Sequence, residues 1–163
     1  MSRTLLQGYV LDSTSIIDLG RRIHPPESRV AAQAIVTNLI DQRLIKSPRE
    51  VYLELTTRAK SDGDEVANWC RTNDNIFEDL TYEQQLHLSE ILAEFPEMVK
   101  ADSLTYDADP ILVAMAMEYG WILVSSDGSG LNPRPSSVHV VAAHFGIECA
   151  TEHQFLKDNG WTG

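Results

Sequence analysis

The sequence predicts an α/β fold, a three-layer α/β/α sandwich around a mostly parallel central sheet, in a single domain that spans residues 1–163. Two observations predict this fold. Short apolar segments typical of buried strands alternate along the chain with helical patterns, as in parallel sheets that are covered by helices. The length of 163 residues, of which 43% are hydrophobic and 23% charged, suits one globular domain with one core.

Continuous apolar segments predict the strands. They are TLLQGYVLD (4–12), Leu44–Ile45, WILVSS (121–126) and IEC (147–149). The first of them ends in Asp12 and a Ser/Thr-rich turn, and the third ends in Asp127 and a glycine turn. Because ligands bind at the carboxyl ends of the strands in open parallel sheets, Asp12 and Asp127 are candidate functional residues.

Helical spacing of apolar residues and capping signals predict the helices. They are expected at 27–43, from SPRE (47–50) onward, at 62–71, at 81–95, at 109–120, at 139–146 and at 151–160. We expect Ser47 to cap the SPRE helix, with Glu50 completing a capping box, and Thr81 with Gln84 to do the same for residues 81–95. Asp109 is the expected cap of the 109–120 helix, with Pro110 directly after it and Gly120 as its expected end. The terminal helix that begins at Thr151 is also expected to be capped.

The net charge of -11 argues against a protein that coats nucleic acid non-specifically. The charge is uneven, because residues 1–60 sum to +3 and residues 61–163 sum to -14. The first part therefore permits a local anion-binding face. Its basic residues suggest a rim for such a face: Arg21, Arg22, Arg43, Lys46, Arg49 and Arg58.

The apolar segments and the cysteines indicate in which cellular compartment the protein is expected. No apolar segment reaches the roughly 20 residues of a membrane span, and the N-terminus lacks a signal-peptide pattern, so we expect a soluble cytoplasmic protein with no membrane association. Cys70 and Cys149 lie far apart without the spacing of metal ligands, which predicts two reduced thiols.

Four acids occupy positions that suggest chemistry: Asp12, Glu54, Asp109 and Asp127. If the strand ends and helix starts converge on one edge of the sheet, these carboxylates meet and repel one another. A divalent cation would offset that repulsion, since Mg²⁺ and Mn²⁺ prefer oxygen ligands. Such an ion can also activate water for the hydrolysis of a phosphodiester.

Three of the acids have a plainer alternative. Asp109 is a good helix cap, and Asp127 before Gly128 is a common turn residue. Glu54 has the spacing to pair with Arg58 on the helix surface. Asp12 is the hardest to explain in this way, because the strand that precedes it is so apolar.

Segments across nearly the whole chain resemble the PIN-domain family. They are YVLDSTSII (9–17), VYLEL (51–55), DADPILVAMAMEYG (107–120) and ILVSSD (122–127). The final segment, RPSSVHVVAAHFGIECATEHQFLKDNGW (134–161), further resembles a bacterial PIN-like subfamily of unknown function.

This resemblance implies a metal-dependent endoribonuclease that cleaves RNA with Mg²⁺ or Mn²⁺. Many small bacterial members are VapC-like toxins that form homodimers and pair with an antitoxin protein. The implied catalytic and metal-binding residues are Asp12, Glu54, Asp109 and Asp127. The implied supporting residues are Ser13 or Thr14, Ser125, and Asp107 as a substitute for Asp109.

Two alternatives stay open at this point. The first is a catalytically degenerate PIN-like binding module that docks a partner protein. The second is another α/β enzyme of phosphoryl chemistry. It is disfavoured because a haloacid-dehalogenase-type phosphatase needs an Asp where Thr14 stands, and because the chain has no Gly-rich phosphate loop ending in Lys-Ser/Thr.

Overall fold

The computed structural model describes residues 6–21, 26–57, 64–99 and 108–162. In these residues five short strands form one sheet in the order β3-β2-β1-β4-β5, and each neighbouring pair is parallel. The strands are β1 (Tyr9–Leu11), β2 (Ile45–Pro48), β3 (Phe77–Glu78), β4 (Ile122–Val124) and β5 (Cys149–Ala150). The predicted α/β architecture is confirmed.

Eight α-helices connect or flank these strands within the same described ranges. They are α1 (Ser13–Arg21), α2 (Pro26–Asp41), α3 (Arg49–Thr57), α4 (Glu65–Thr72), α5 (Tyr82–Glu94), α6 (Asp109–Tyr119), α7 (Val138–His144) and α8 (Glu152–Asp158). Two 3₁₀ turns, Asp74–Ile76 and Pro96–Met98, follow α4 and α5. None of the described helices is long and apolar enough to cross a membrane.

The helices form two layers around the sheet. Helix α6 packs against β1, β2 and β4, and α5 and α7 pack against α6. Helix α1 packs against α2, α3, α4 and α8. Residues 112–116 of α6 are almost fully buried, which explains why its sequence is apolar on every side.

The segment after β1 differs from the prediction. A Ser/Thr-rich turn was expected after Asp12, but α1 begins at once, at Ser13. The backbone N–H of Ser15 donates to Asp12 Oδ1 at 2.7 Å, and the N–H of Ile16 donates to the Asp12 carbonyl at 3.2 Å. Asp12 therefore caps α1, and Ile16 and Leu19 supply the buried face that holds this helix on the sheet.

Two predicted helix caps are wrong. Ser47 lies inside β2, and its hydroxyl donates to the Leu11 carbonyl of the neighbouring strand at 2.7 Å, so it is not available to cap α3. The predicted capping box with Glu50 is therefore not formed. At α6 the capping position is held by Ala108, and Asp109 is the first residue of the helix.

Other predicted helix caps and helix ends are confirmed. Thr81 and Gln84 form the full capping box of α5, and the Thr151 side chain accepts the N–H of Gln154 at the start of α8. Gly120 ends α6 with a φ of 66°, the left-handed conformation that glycine adopts without strain.

We predict that Gly8→Ala destabilises the fold by about 1–3 kcal/mol, a typical cost of overpacking a core. A Cβ at Gly8 would lie 2.1 Å from the ring of Trp121, so ring or strand must shift. Urea denaturation measures the change. Gly130→Ala is the matched control, because a Cβ there meets nothing within 4 Å. Equal stability of the two variants would contradict the packing of Gly8 against Trp121.

Candidate active site

Asp12 is a carboxylate buried at the centre of the sheet, with only 5% of its surface exposed. It follows β1, which lies between β2 and β4. Burial raises the pKa of Asp12 above its ordinary value of 3.8, hydrogen bonds from Ser125 and Ser15 oppose that rise, and the charge of Asp127 adds to it. A buried carboxylate of this kind favours a proton or a cation beside it.

Ser125 and Asp127 follow the carboxyl end of β4, the strand beside β1. The Ser125 side chain is fully buried, hydrogen-bonds to the Asp12 carboxyl and accepts the backbone N–H of Asp127 at 3.1 Å. One hydroxyl can do both, because it has one proton to donate and two lone pairs. Ser125 thus connects the two predicted acids.

The Asp127 carboxylate also holds the loop that leads to α7. Its Oδ2 accepts the Val138 N–H at 3.0 Å, at the start of that helix, and its Oδ1 lies 3.3 Å from an Arg134 guanidinium nitrogen. The Asp127 carbonyl accepts the N–H of His139, whose ring nitrogen Nε2 lies 2.6 Å from the Ser125 carbonyl. Asp127 therefore combines a structural role with its place beside Asp12.

Glu152 lies close to Asp12 as well, although no sequence motif predicted it as a site residue. It is the first residue of α8, just past the carboxyl end of β5. The Ser15 hydroxyl lies between two acceptors, with the Val124 carbonyl at 2.9 Å and Glu152 Oε1 at 3.0 Å. Burial raises the pKa of Glu152, and the charges of Asp12 and Asp18 add to that rise. The usable signal was its position after a strand, the same that selected Asp12 and Asp127.

Cys149 also lies among these acids. Burial raises the pKa of its thiol to about 12, and the charges of Asp12, Asp127 and Glu152 contribute. It is therefore a protonated thiol at neutral pH, as is the buried Cys70, and neither forms a disulfide.

The remaining predicted site residues lie on neighbouring elements. Glu54 is half-buried on α3, and Asp109 is half-buried at the start of α6. Both make contacts of their own, and their membership of the site stays a prediction. Ser13 and Thr14 form the first turn of α1, where the hydroxyl seen beside the acids is that of Ser15. Asp107 lies outside the described residues.

The oxygen donors around Asp12 fit a hard divalent cation. Among the described residues no group of three His, Cys, Asp or Glu side chains could hold a metal ion. Mg²⁺, however, often binds through only one or two carboxylates and completes its shell with water and substrate phosphate. Asp12 and Asp127 satisfy that requirement, so the residues present fit an ion open to a phosphate better than a closed structural site.

Two residues of the predicted basic rim are engaged elsewhere. Lys46 binds Glu78 at 2.7 Å and lies 4.5 Å from the centre of the Tyr119 ring. Arg49 binds Asp74 at 2.6 Å and donates to the Phe77 carbonyl. Arg43 is exposed in the turn after α2, whereas the side chain of Arg21 and residues 22 and 58 are outside what the structure describes.

With this sheet order, the chain has the α/β fold of PIN-domain structures. It resembles VapBC2 from Rickettsia felis, crystallised on a DNA fragment of its promoter, with a TM-score of 0.52 and 13% identity over 88% of this chain and 97% of the other. It resembles DNA-bound VapBC from Salmonella typhimurium with a TM-score of 0.53 and 14% identity, over 90% and 99%. It resembles FitAcB from Neisseria gonorrhoeae with a TM-score of 0.54 and 13% identity, over 89% of this chain and 98% of the other.

The chain belongs to the family described as a domain of unknown function, DUF4411, whose model matches residues 9–163. No curated protein matches the chain in sequence. At 13–14% identity the likeness to the solved structures shows the fold alone, so function has to be argued from the site.

We predict that Asp12→Asn melts at the same temperature as the wild type or higher at pH 7, in EDTA. The pKa of Asp12 is raised in the folded state, so the protonated side chain contributes to stability. That contribution is complete below the unfolded pKa, near 3.8, and is lost as the pH rises through the folded pKa. Asparagine cannot ionise and still caps α1.

The advantage of Asp12→Asn should therefore shrink as the pH falls from above the folded pKa of Asp12 towards 3.8, and change no further below 3.8, where Asp12 is protonated in both states. Melting curves recorded from acid to neutral pH measure it, with the exposed Glu148→Gln as control. A variant that melts well below the wild type at pH 7 would show that the fold needs the charge of Asp12.

Proposed function

We propose that the protein is a divalent-cation-dependent endoribonuclease, the toxin of a toxin–antitoxin pair acting in the cytoplasm. The single observation that carries the proposal is the buried Asp12 carboxylate, which shares the carboxyl edge of a parallel sheet with Asp127 and Ser125. Ligands bind at this edge in open α/β sheets. The PIN-type fold and the four sequence motifs agree with this assignment.

In this proposal each residue of the edge has a defined task. Asp12 and Asp127 would hold Mg²⁺ or Mn²⁺, with Glu54 and Asp109 as the further acids that the motifs imply. When bound, the ion would act as a Lewis acid on a phosphate and lower the pKa of a water. Ser125 fixes the Asp12 carboxyl by a hydrogen bond, and the Ser15 N–H fixes its Oδ1. Burial of Asp12 keeps bulk water from competing for it.

A partner protein is part of the proposal. Two of the structural neighbours are VapBC complexes, and a VapC-like toxin implies an antitoxin. A largely apolar cavity of about 90 Å³ between α1, α2 and α4 suits an apolar side chain of such a partner. It is lined by Leu11, Ile16, Leu19, Gln33, Val36, Glu65, Val66 and Trp69. Since Leu11 directly precedes Asp12, a segment bound there would lie beside the site.

We further propose a homodimer. Tyr82 and Leu86 lie one turn apart on α5, and both are exposed. An exposed apolar pair of this kind suits contact with a second copy of the chain.

A catalytically degenerate binding module is the second candidate. It is favoured by two observations: among the described residues no three His, Cys, Asp or Glu side chains are placed to hold a metal ion together, and both Asp127 carboxylate oxygens are already engaged, by the Val138 N–H and by Arg134. Calorimetric titration with Mn²⁺ separates the candidates. Micromolar binding that Asp12→Asn abolishes supports the enzyme, and no binding supports the module.

We predict that the purified protein cleaves RNA with Mg²⁺ or Mn²⁺ and that EDTA stops the cleavage. Loss of a residue that only supports a metal ligand costs about 10- to 100-fold, so Asp12→Asn, which removes a ligand, should cost more. A panel of tRNA, rRNA fragments and single-stranded RNA measures the activity.

Glu148→Gln is the control, because it removes an exposed acid outside the cluster and should leave the rate unchanged. Native mass spectrometry of the same sample reports the homodimer and any co-purified inhibitor. Absence of cleavage in a folded, inhibitor-free sample, or full activity in Asp12→Asn, would contradict the proposed enzyme.

A further inference from the structure

A cation in the loop between β4 and α7 lies beside the acidic site, which consists of Asp12, Asp127 and Glu152. Within the segment NPRPS (132–136), Arg134 extends a guanidinium whose nitrogen lies 3.3 Å from Asp127 Oδ1. The Arg134 side chain is 67% exposed, so this single long contact is of the weak, exchangeable kind. A guanidinium has five N–H donors in a planar fork, which leaves donors available for a further anion.

The loop presents Arg134 in a fixed place. Pro133 and Pro135 flank it and restrict the backbone on both sides. The N–H of Ser137 donates to the Arg134 carbonyl at 3.0 Å. The other end of the loop is equally close-packed, because a Cβ at Gly128 would lie 2.2 Å from Ser137 Oγ. A preorganised loop backbone loses less conformational entropy when the side chain that it carries binds a ligand.

Arg134 is one of few basic residues in the acidic part of the chain. Residues 61–163 hold four basic residues against eighteen acidic ones, and the four are Arg71, Lys100, Arg134 and Lys157. Within the described ranges, Lys46 and Arg49 of the basic part are bound to Glu78 and Asp74. Arg134, by contrast, contacts a residue of the acidic site itself and is largely solvent-exposed.

We propose that Arg134 is the residue that binds a backbone phosphate of single-stranded RNA and holds it beside Asp12 and Asp127. The inference rests on the proposed function and adds a substrate-binding residue that neither the motifs nor the resemblance indicated. When the Arg134 guanidinium leaves Asp127 and binds a phosphate, it exchanges one weak ion pair for another anion and stays paired. Its planar set of N–H donors can bind two phosphate oxygens at once. The loop then allows a protein with a net charge of -11 to bind a polyanion at one place.

The test measures binding separately from cleavage. Fluorescence anisotropy of a labelled single-stranded RNA, with Asp12→Asn protein in EDTA, gives affinity without cutting. In that background we expect Arg134→Ala to weaken binding about tenfold, as for loss of a hydrogen bond to a charged group. The slope of log affinity against log salt should fall by about 0.7, the value for one phosphate contact of a single strand. Arg134→Lys should restore the slope but not the full affinity, since lysine lacks the fork.

Arg71→Ala is the matched control, because it removes the same charge from the exposed surface of α4. Equal effects of Arg71→Ala and Arg134→Ala would overturn the inference, since net charge alone would then explain them. Absence of RNA binding, or an unchanged salt slope in Arg134→Ala, would also overturn it.

Kinetics of the otherwise wild-type protein keep the two proposals distinguishable. With cleavage intact, Arg134→Ala should raise KM with little change in kcat, as expected for a group that binds substrate and transition state alike. A fall in kcat alone would contradict a phosphate-binding role. Failure of the proposed function shows itself differently, as absence of cleavage by the wild type with any cation.

Discussion

The buried carboxylate of Asp12 is the constraint on which the rest of the structure depends. A charge taken out of water is costly unless its environment compensates it, and here an N–H of α1 and a hydroxyl from the β4 loop do so. The first contact starts α1 directly at the end of the central strand. The second ties β1 to the loop after β4, so the fold and the candidate site rely on the same interactions. A residue that only capped a helix would not need such burial.

Sheet order decides which side chains meet. Because β1, β4 and β5 are neighbours, the residues just past their carboxyl ends converge, and Asp12, Asp127 and Glu152 form one acidic edge with Cys149 among them. On the other side of β1, the cation of Lys46 on β2 is bound to Glu78 on β3. The acids are thus concentrated at one edge of the sheet, whereas the Lys46 cation on the other side of β1 is neutralised by Glu78. Arg134 contacts the acidic edge through Asp127 and is itself exposed to solvent.

Local signals were predictable from the sequence, whereas pairings across the sheet were not. The Thr81–Gln84 box, the glycine stop at Gly120 and the fully apolar α6 depend on near neighbours, so the pattern was sufficient. Ser47 was predicted wrongly because its hydroxyl bonds to Leu11 on another strand, which no local pattern shows. The start of α1 was missed because STS after Asp12 looks like a turn until the helix is packed. Glu152 follows a predicted strand, as Asp12 and Asp127 do, but its proximity to Ser15 depends on β5 being beside β4, which the sequence does not show.

The carboxylates of Asp12 and Asp127 together are the cation-binding edge that we propose for this PIN-type fold. Crystals soaked in Mn²⁺ test it most directly, because the anomalous signal locates the ion without any assumption about activity. We expect an anomalous peak within coordination distance of both carboxylates, about 2.0–2.6 Å from their oxygens. A well-occupied Mn²⁺ at another place, or saturating Mn²⁺ with no peak beside Asp12, would contradict it.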